Sequence, residues 1–167
     1  MTRVLKAYEE TLSQRDLACG APELETAARA ALVGPTAALR PRVFIIDDEE
    51  SICKFVSTAV SSMDYEADYF TNATDALPAL DHCSPAVIFL DIALGGSDAI
   101  EVIRLLGKRQ YRGVVQLMSG SNAAILEDVR RVGEWHKLIM RPPLKKPFRI
   151  DAIRKVLADA SAVLRGT

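Results

Sequence analysis

The side chains able to do chemistry in this chain fall in four short groups. Asp47, Asp48, Glu49 and Glu50 follow the apolar run 43–46. Asp91 follows the run 86–90, and Ser119 with Gly120 follows 114–118. Lys145 and Lys146 stand directly before Pro147. Carboxylates gathered in one cleft repel one another unless a cation lies among them. Oxygen donors suit a hard ion, and an open site that keeps its waters favours Mg²⁺. A lysine ammonium and a serine hydroxyl facing a carboxylate could bind the oxygens of a phosphoryl group placed on it. Phosphoryl transfer needs little beyond such positioning and charge neutralisation. On this reading Asp91 is a nucleophile that becomes an aspartyl phosphate. Each residue also has an ordinary role. Asp47, Asp48 and Glu49 suit the first turn of a helix, Ser119 could cap a helix starting near Asn122, and Lys146 could be a solvated charge. The joint reading rests on coincidence: each group closes a different strand, in the order one site requires.

The elements that must position these groups are legible as alternating periods. Residues 42–46 form a short β-branched run, followed by Ile52, Phe55, Val56, Ala59 and Val60 at helical spacing. Residues 67–70 suggest a second strand, and Ala76, Leu77 and Leu80 a weaker helix, since Pro78 opposes helix beyond a first turn. Strands over 86–90 and 114–118 follow, separated by a helix through Ile100, Val102, Ile103, Leu105 and Leu106. Residues 123–135 are expected to be helical, 138–144 a strand interrupted by Pro142 and Pro143, and 150–164 the last helix. Five strands alternating with five helices imply an α/β fold. The sheet is expected to be parallel, doubly wound and covered on both faces, and the flavodoxin-like order 2-1-3-4-5 suits it. Ligands of such sheets bind outside the carboxyl ends of the strands, where all four groups fall.

Residues 1–41 stand outside the alternation and form a helical extension to the domain 42–167. Leu5, Tyr8, Leu12 and Cys19 make one stripe. Leu24, Ala27, Ala28, Ala31 and Leu32 make a second, stopped by Gly34 and Pro35. Such stripes need a surface, and a symmetric homodimer through them is the favoured expectation over docking on their own domain. The chain has 167 residues, 49% of them hydrophobic and 26% charged, which argues against disorder. Its 21 Lys and Arg against 22 Asp and Glu leave a net charge of −1, so there is no electrostatic footprint for nucleic acid or an anionic membrane. No apolar stretch is long enough to span a bilayer, and Glu9, Glu10 and Asp16 exclude a signal-peptide core. Cys19, Cys53 and Cys83 are widely spaced and read as buried or idle thiols of a cytoplasmic protein.

The motifs together resemble the response-regulator receiver domain of bacterial two-component signalling. Residues 44–49 (FIIDDE) resemble the acidic pair after strand one, and 87–98 (VIFLDIALGGSD) the phosphoacceptor segment. Residues 115–120 (VQLMSG) resemble the strand-four hydroxyl motif, and 144–148 (LKKPF) the Lys-Pro-Phe motif. The likeness covers residues 42–164. It implies that Asp91 is the phosphoacceptor, that Asp48 binds Mg²⁺ directly and that Asp47 holds a metal-bound water. The backbone carbonyl of Ala93 completes the protein ligands, Ser119 bonds a phosphoryl oxygen, and Lys146 pairs with the acceptor. Lys146 takes this role over Lys145 because it directly precedes Pro147, through a bond that is usually cis in the family.

The chain also departs from the family pattern. Gly95 replaces a usual proline, Ala99 a usual glycine, and Pro143 the usual aromatic, so an aromatic output switch cannot operate in its common form. The connection from Ser119 to Lys146 is a few residues longer than usual and holds His136, expected to be solvated. The implied function is a non-enzymatic response regulator. It takes phosphate from a sensor histidine kinase or phosphotransfer protein and signals by contact with a downstream protein, with no DNA-binding output domain expected. Two alternatives differ in class. A haloacid dehalogenase-type phosphatase needs a second acid where this chain has Ala93. A pseudo-receiver would have lost some of Asp47, Asp48, Asp91, Ser119 and Lys146, all of which are present.

Overall fold

The computed structural model describes residues 40–94, 97–120 and 123–165, without the side chains at 97, 98 and 123–125. The two helices expected within residues 1–41 lie outside the described residues. From Arg42 the order is β1 (Arg42–Ile46), α1 (Glu50–Ser61), β2 (Glu66–Phe70), α2 (Ala73–His82) and β3 (Val87–Asp91). It continues with α3 (Ser97–Lys108), β4 (Val114–Ser119), α4 (Ala123–Trp135), β5 (Ile139–Lys145) and α5 (Ile150–Arg165). The strands form one sheet in the order β2-β1-β3-β4-β5, with every pair parallel, as the alternation implied.

Two separate cores explain why the central strands are mostly apolar on both faces rather than alternating. Phe44, Ile46, Ile88, Leu90, Val115 and Leu117 face one side. There they meet Ala76 and Leu80 of α2, Val102, Ile103 and Leu106 of α3, and Val129 of α4. Val43, Ile45, Val87, Phe89, Val114 and Met118 face the other, against Cys53, Val56 and Val60 of α1 and Ile153, Val156 and Leu157 of α5. Each such side chain, fully buried, contributes about 1.5–3 kcal/mol relative to exposure. The stripe expected on α1 is rotated. Cys53 takes an inward position, while Phe55 remains 40% exposed and leans on Phe148, ring centroids 6.3 Å apart.

Helix α2 forms where the sequence reading expected it and continues past Pro78, the residue that made it look weak. Asn72 caps it by accepting the Asp75 N–H at 2.8 Å, and Ala73, Ala76 and Leu80 anchor its inner face. Pro78 lies on the exposed face, so the bond it cannot make costs the helix no packing. Strand β5 carries the expected irregularity. Gln116 pairs with Arg141 and Met118 with Leu144, so Pro142 and Pro143 together stand opposite Leu117, a bulge of one extra residue. Two close approaches brace the far end of the sheet and the α3–α4 contact. The buried Tyr111 hydroxyl donates to the Pro85 carbonyl at 2.8 Å. The His136 ring, expected in solvent, is half-buried against α3, where a Cβ on Gly107 would lie 2.2 Å from its Cγ. No described helix is long and apolar enough to cross a membrane.

Candidate phosphoacceptor site

The ends of β1, β3, β4 and β5 bring the four sequence groups into one cleft. Asp47 leaves β1 with its N–H donating to Phe70 O at 3.1 Å, and its Oδ1 accepts the Glu49 N–H at 3.0 Å. This local turn buries Asp47 and leaves the adjacent Asp48 exposed. Cys53, one turn into α1, donates its thiol to the Asp47 carbonyl at 3.3 Å. Burial pushes that thiol up to about 11, so it stays protonated and is an anchor rather than a nucleophile. Asp91 closes β3 and is 1% exposed, and Ser119 closes the neighbouring β4, also buried.

Lys146 enters from beyond β5. Its N–H donates to the Ser119 carbonyl at 2.7 Å, and the Lys146–Pro147 bond is cis, as the resemblance implied. Its ammonium lies 2.7 Å from Asp47 Oδ2, 3.3 Å from Asp91 Oδ1 and 3.6 Å from Glu49 Oε1. Lys145 is exposed, so the choice between the two lysines agrees with the geometry. Glu49 is a third partner of the lysine that the sequence reading left without a role. Its place in the run of acids before α1 was the available signal.

The charges are poorly balanced. Asp47 Oδ2 and both Asp91 oxygens are buried without an aligned hydrogen bond, so the lysine contacts are ion pairs only. Burial raises the Asp91 carboxyl above its ordinary value despite Lys146, and Asp47 is raised for the same reason. Burial works to lower Lys146, but its contacts with Asp47 and Asp91 outweigh that and hold it raised. Carboxylate oxygens of Asp47, Asp48 and Asp91 all lie within 4.8 Å of one another. These three hard oxygen donors, with neither oxygen of the buried Asp91 hydrogen-bonded, fit a small divalent cation. Ala93 occupies the exposed turn two residues past Asp91.

Residues 43–158 match the family model described as the response regulator receiver domain. The chain belongs to that family. The receiver domain is 25% identical over 120 residues to the regulatory protein AtoC of Escherichia coli K12, covering 71% of this chain and 25% of that protein. It is 29% identical over 126 residues to the transcriptional regulatory protein QseB of Escherichia coli O157:H7, covering 75% of this chain and 54% of QseB. It thus spans between a quarter and about half the length of these curated relatives. Among solved structures it is similar to a response regulator from Colwellia psychrerythraea, with TM-score 0.62, 25% identity, and coverage of 75% of this chain and 98% of that one. The receiver domain of a LuxO repressor protein from Vibrio parahaemolyticus shares the fold, with TM-score 0.63 at 20% identity, covering 76% and 92%. The family is one of signalling proteins, not a known enzyme family.

Proposed function

We propose that Asp91 accepts a phosphoryl group from a phosphohistidine of a sensor histidine kinase or phosphotransfer protein. The phosphorylated domain then signals by contact with a downstream protein, in the cytoplasm. The observation that supports this most directly is the Asp91 carboxylate. It is buried at a strand end with neither oxygen hydrogen-bonded, yet faced by Lys146 and beside the buried Ser119. An oxygen of the ionised Asp91 carboxylate attacks phosphorus, the P–N bond to the donor histidine breaks, and the carboxylate becomes an acyl phosphate while the imidazole leaves. Lys146 offsets the negative charge that gathers on the transferred oxygens. The Ser119 hydroxyl donates to one of those oxygens once phosphate is in place, and the Lys146 N–H bond to the Ser119 carbonyl links the two responses.

Mg²⁺, when bound, neutralises phosphoryl charge between donor and acceptor. Asp48 and Asp91 would hold it directly, with the Ala93 carbonyl. Asp47, whose oxygens already face the Glu49 N–H and Lys146, would act through water. The test is labelling with acetyl phosphate and Mg²⁺. The parent should incorporate acid-stable, base-labile phosphate and Asp91→Asn none, because an amide is no nucleophile. Equal labelling of the Asn variant would overturn the assignment.

A further inference from the structure

We infer that Gln116, a buried amide in β4, is a positioning residue that selects Lys146 rather than Lys145 for the phosphoacceptor site. This rests on the role proposed for Lys146 above. Gln116 is 1% exposed in a strand whose other described residues before Ser119 are apolar. Its Nε2 donates to the Pro142 carbonyl at 2.8 Å and to the Leu117 carbonyl at 3.0 Å. Both acceptors belong to the bulge. Pro142 and Pro143 bring no N–H to it, so the strand pair is short of donors where β5 carries its extra residue. The two hydrogens of one side-chain amide tie the bulged strand to β4 where the ladder cannot.

The consequence is one of register. Beyond the bulge, Leu144 pairs with Met118 and Lys145 with Ser119, so Lys146 is the residue delivered to Asp47 and Asp91. If the extra residue were absorbed, continuing the pairing of Gln116 with Arg141 would set Leu144 against Ser119. Lys145 would then stand where Lys146 now stands. A slip of one residue also turns Leu144 from the core beside α5 to the opposite face of the sheet. With Pro143 absorbed into the ladder, then, the adjacent lysine would take the site; with Pro143 in the bulge, Lys146 does.

The test uses the full chain in two backgrounds, the parent and a variant lacking Pro143, in which no extra residue remains. Gln116→Met keeps side-chain length and removes both donors. In the parent it should weaken beryllofluoride binding with Mg²⁺, read by ¹⁹F NMR, by about tenfold. In the chain lacking Pro143 the same substitution should cost less than about twofold, because nothing is left to clamp. Parent-like binding by Gln116→Met, or an equal loss in both backgrounds, would overturn the assignment. If Gln116→Met does not fold in the parent, the shortened background decides. Folding and binding there equal to the shortened chain with Gln116 support the clamp, and unfolding there too refutes it. Should the parent itself take no beryllofluoride, the proposed function fails and the clamp is still read separately. Hydrogen exchange at the Lys146 N–H should lose protection in Gln116→Met and regain it on removal of Pro143. Unchanged protection would refute the clamp.

Discussion

Replacing Asp91 by Asn should abolish phosphate acceptance and at the same time stabilise the metal-free fold. Asp91 is 1% exposed, so its charge is nearly stripped of water. At an effective dielectric of about 20, Lys146 at 3.3 Å returns roughly 5 kcal/mol, while two acids within 4.8 Å repel by at least about 3.5 kcal/mol each. Burial is left uncompensated and the two repulsions, about 7 kcal/mol together, exceed the attraction by about 2 kcal/mol, which is why the carboxyl is raised above its ordinary value. The amide escapes the burial and repulsion but faces Lys146 with a donor, so a net gain of about 1–2 kcal/mol is expected at neutral pH. The sign with pH follows from the raised value. A carboxyl harder to ionise when folded gives its full stability below its unfolded pKa of about 3.9 and loses it as pH rises through the folded value. The Asn advantage should therefore open on going from near pH 4 to near pH 7. Mg²⁺ at about a hundredfold over its Kd would return about 2.7 kcal/mol to the parent and less to the variant, narrowing the gap. Urea denaturation in chelator and in Mg²⁺ at both pH values measures this. An Asn variant no more stable than the parent near pH 7 in chelator, or one with the same advantage near pH 4, would refute the reasoning.

Four further outcomes are expected. Asp48→Ala should remove Mg²⁺ binding and Asp47→Ala only weaken it, since Asp48 is exposed while both Asp47 oxygens are engaged; equal affinities by calorimetry would count against this. Gly107→Ala should lower stability by about 1 kcal/mol or more even after its helix-propensity gain, because the new Cβ would meet the His136 ring at 2.2 Å; an unchanged melting temperature would contradict that packing. Tyr111→Phe should cost about 1–2 kcal/mol at neutral pH through the lost bond to Pro85. Burial raises that phenol, so its contribution is present below the unfolded pKa of about 10 and fades above it; a deficit identical on both sides would be the wrong result. A chain starting at Arg40 should sediment as a monomer and the full chain as a dimer, and monomers in both cases would refute the dimer expected through residues 1–41.

The sequence reading succeeded where a local period and a strand end coincide. Apolar runs closing on Asp47, Asp91 and Ser119 located three corners of the site, because a parallel sheet sends every carboxyl end to one side. It failed where distant partners decide. Pro78 made the helix through Leu80 look weaker than it is, because the cap at Asn72 and the exposed face that tolerates the proline are properties of the folded helix. His136 looked solvated because nothing in its neighbourhood announces the missing side chain at Gly107 on another helix. Gln116 drew no reading of its own, since its partner across the sheet at Pro142 appears only with the register.

The doubled proline of β5 bears also on what the sheet can become. A parallel sheet of five strands leaves two rims, and each rim is a template on which another chain could lay a strand. On the β5 rim, Pro142 and Pro143 are exposed and offer an incoming strand no N–H over two successive residues, at a bulge that breaks the even spacing of the carbonyls. On the opposite rim, β2 alternates Glu66 and Asp68 along its length, both drawn toward Arg42 of β1, so an added strand would meet paired charge rather than an apolar face. The width of the sheet is thus set by its edges as well as by its connections, and neither rim invites a neighbouring chain to extend it.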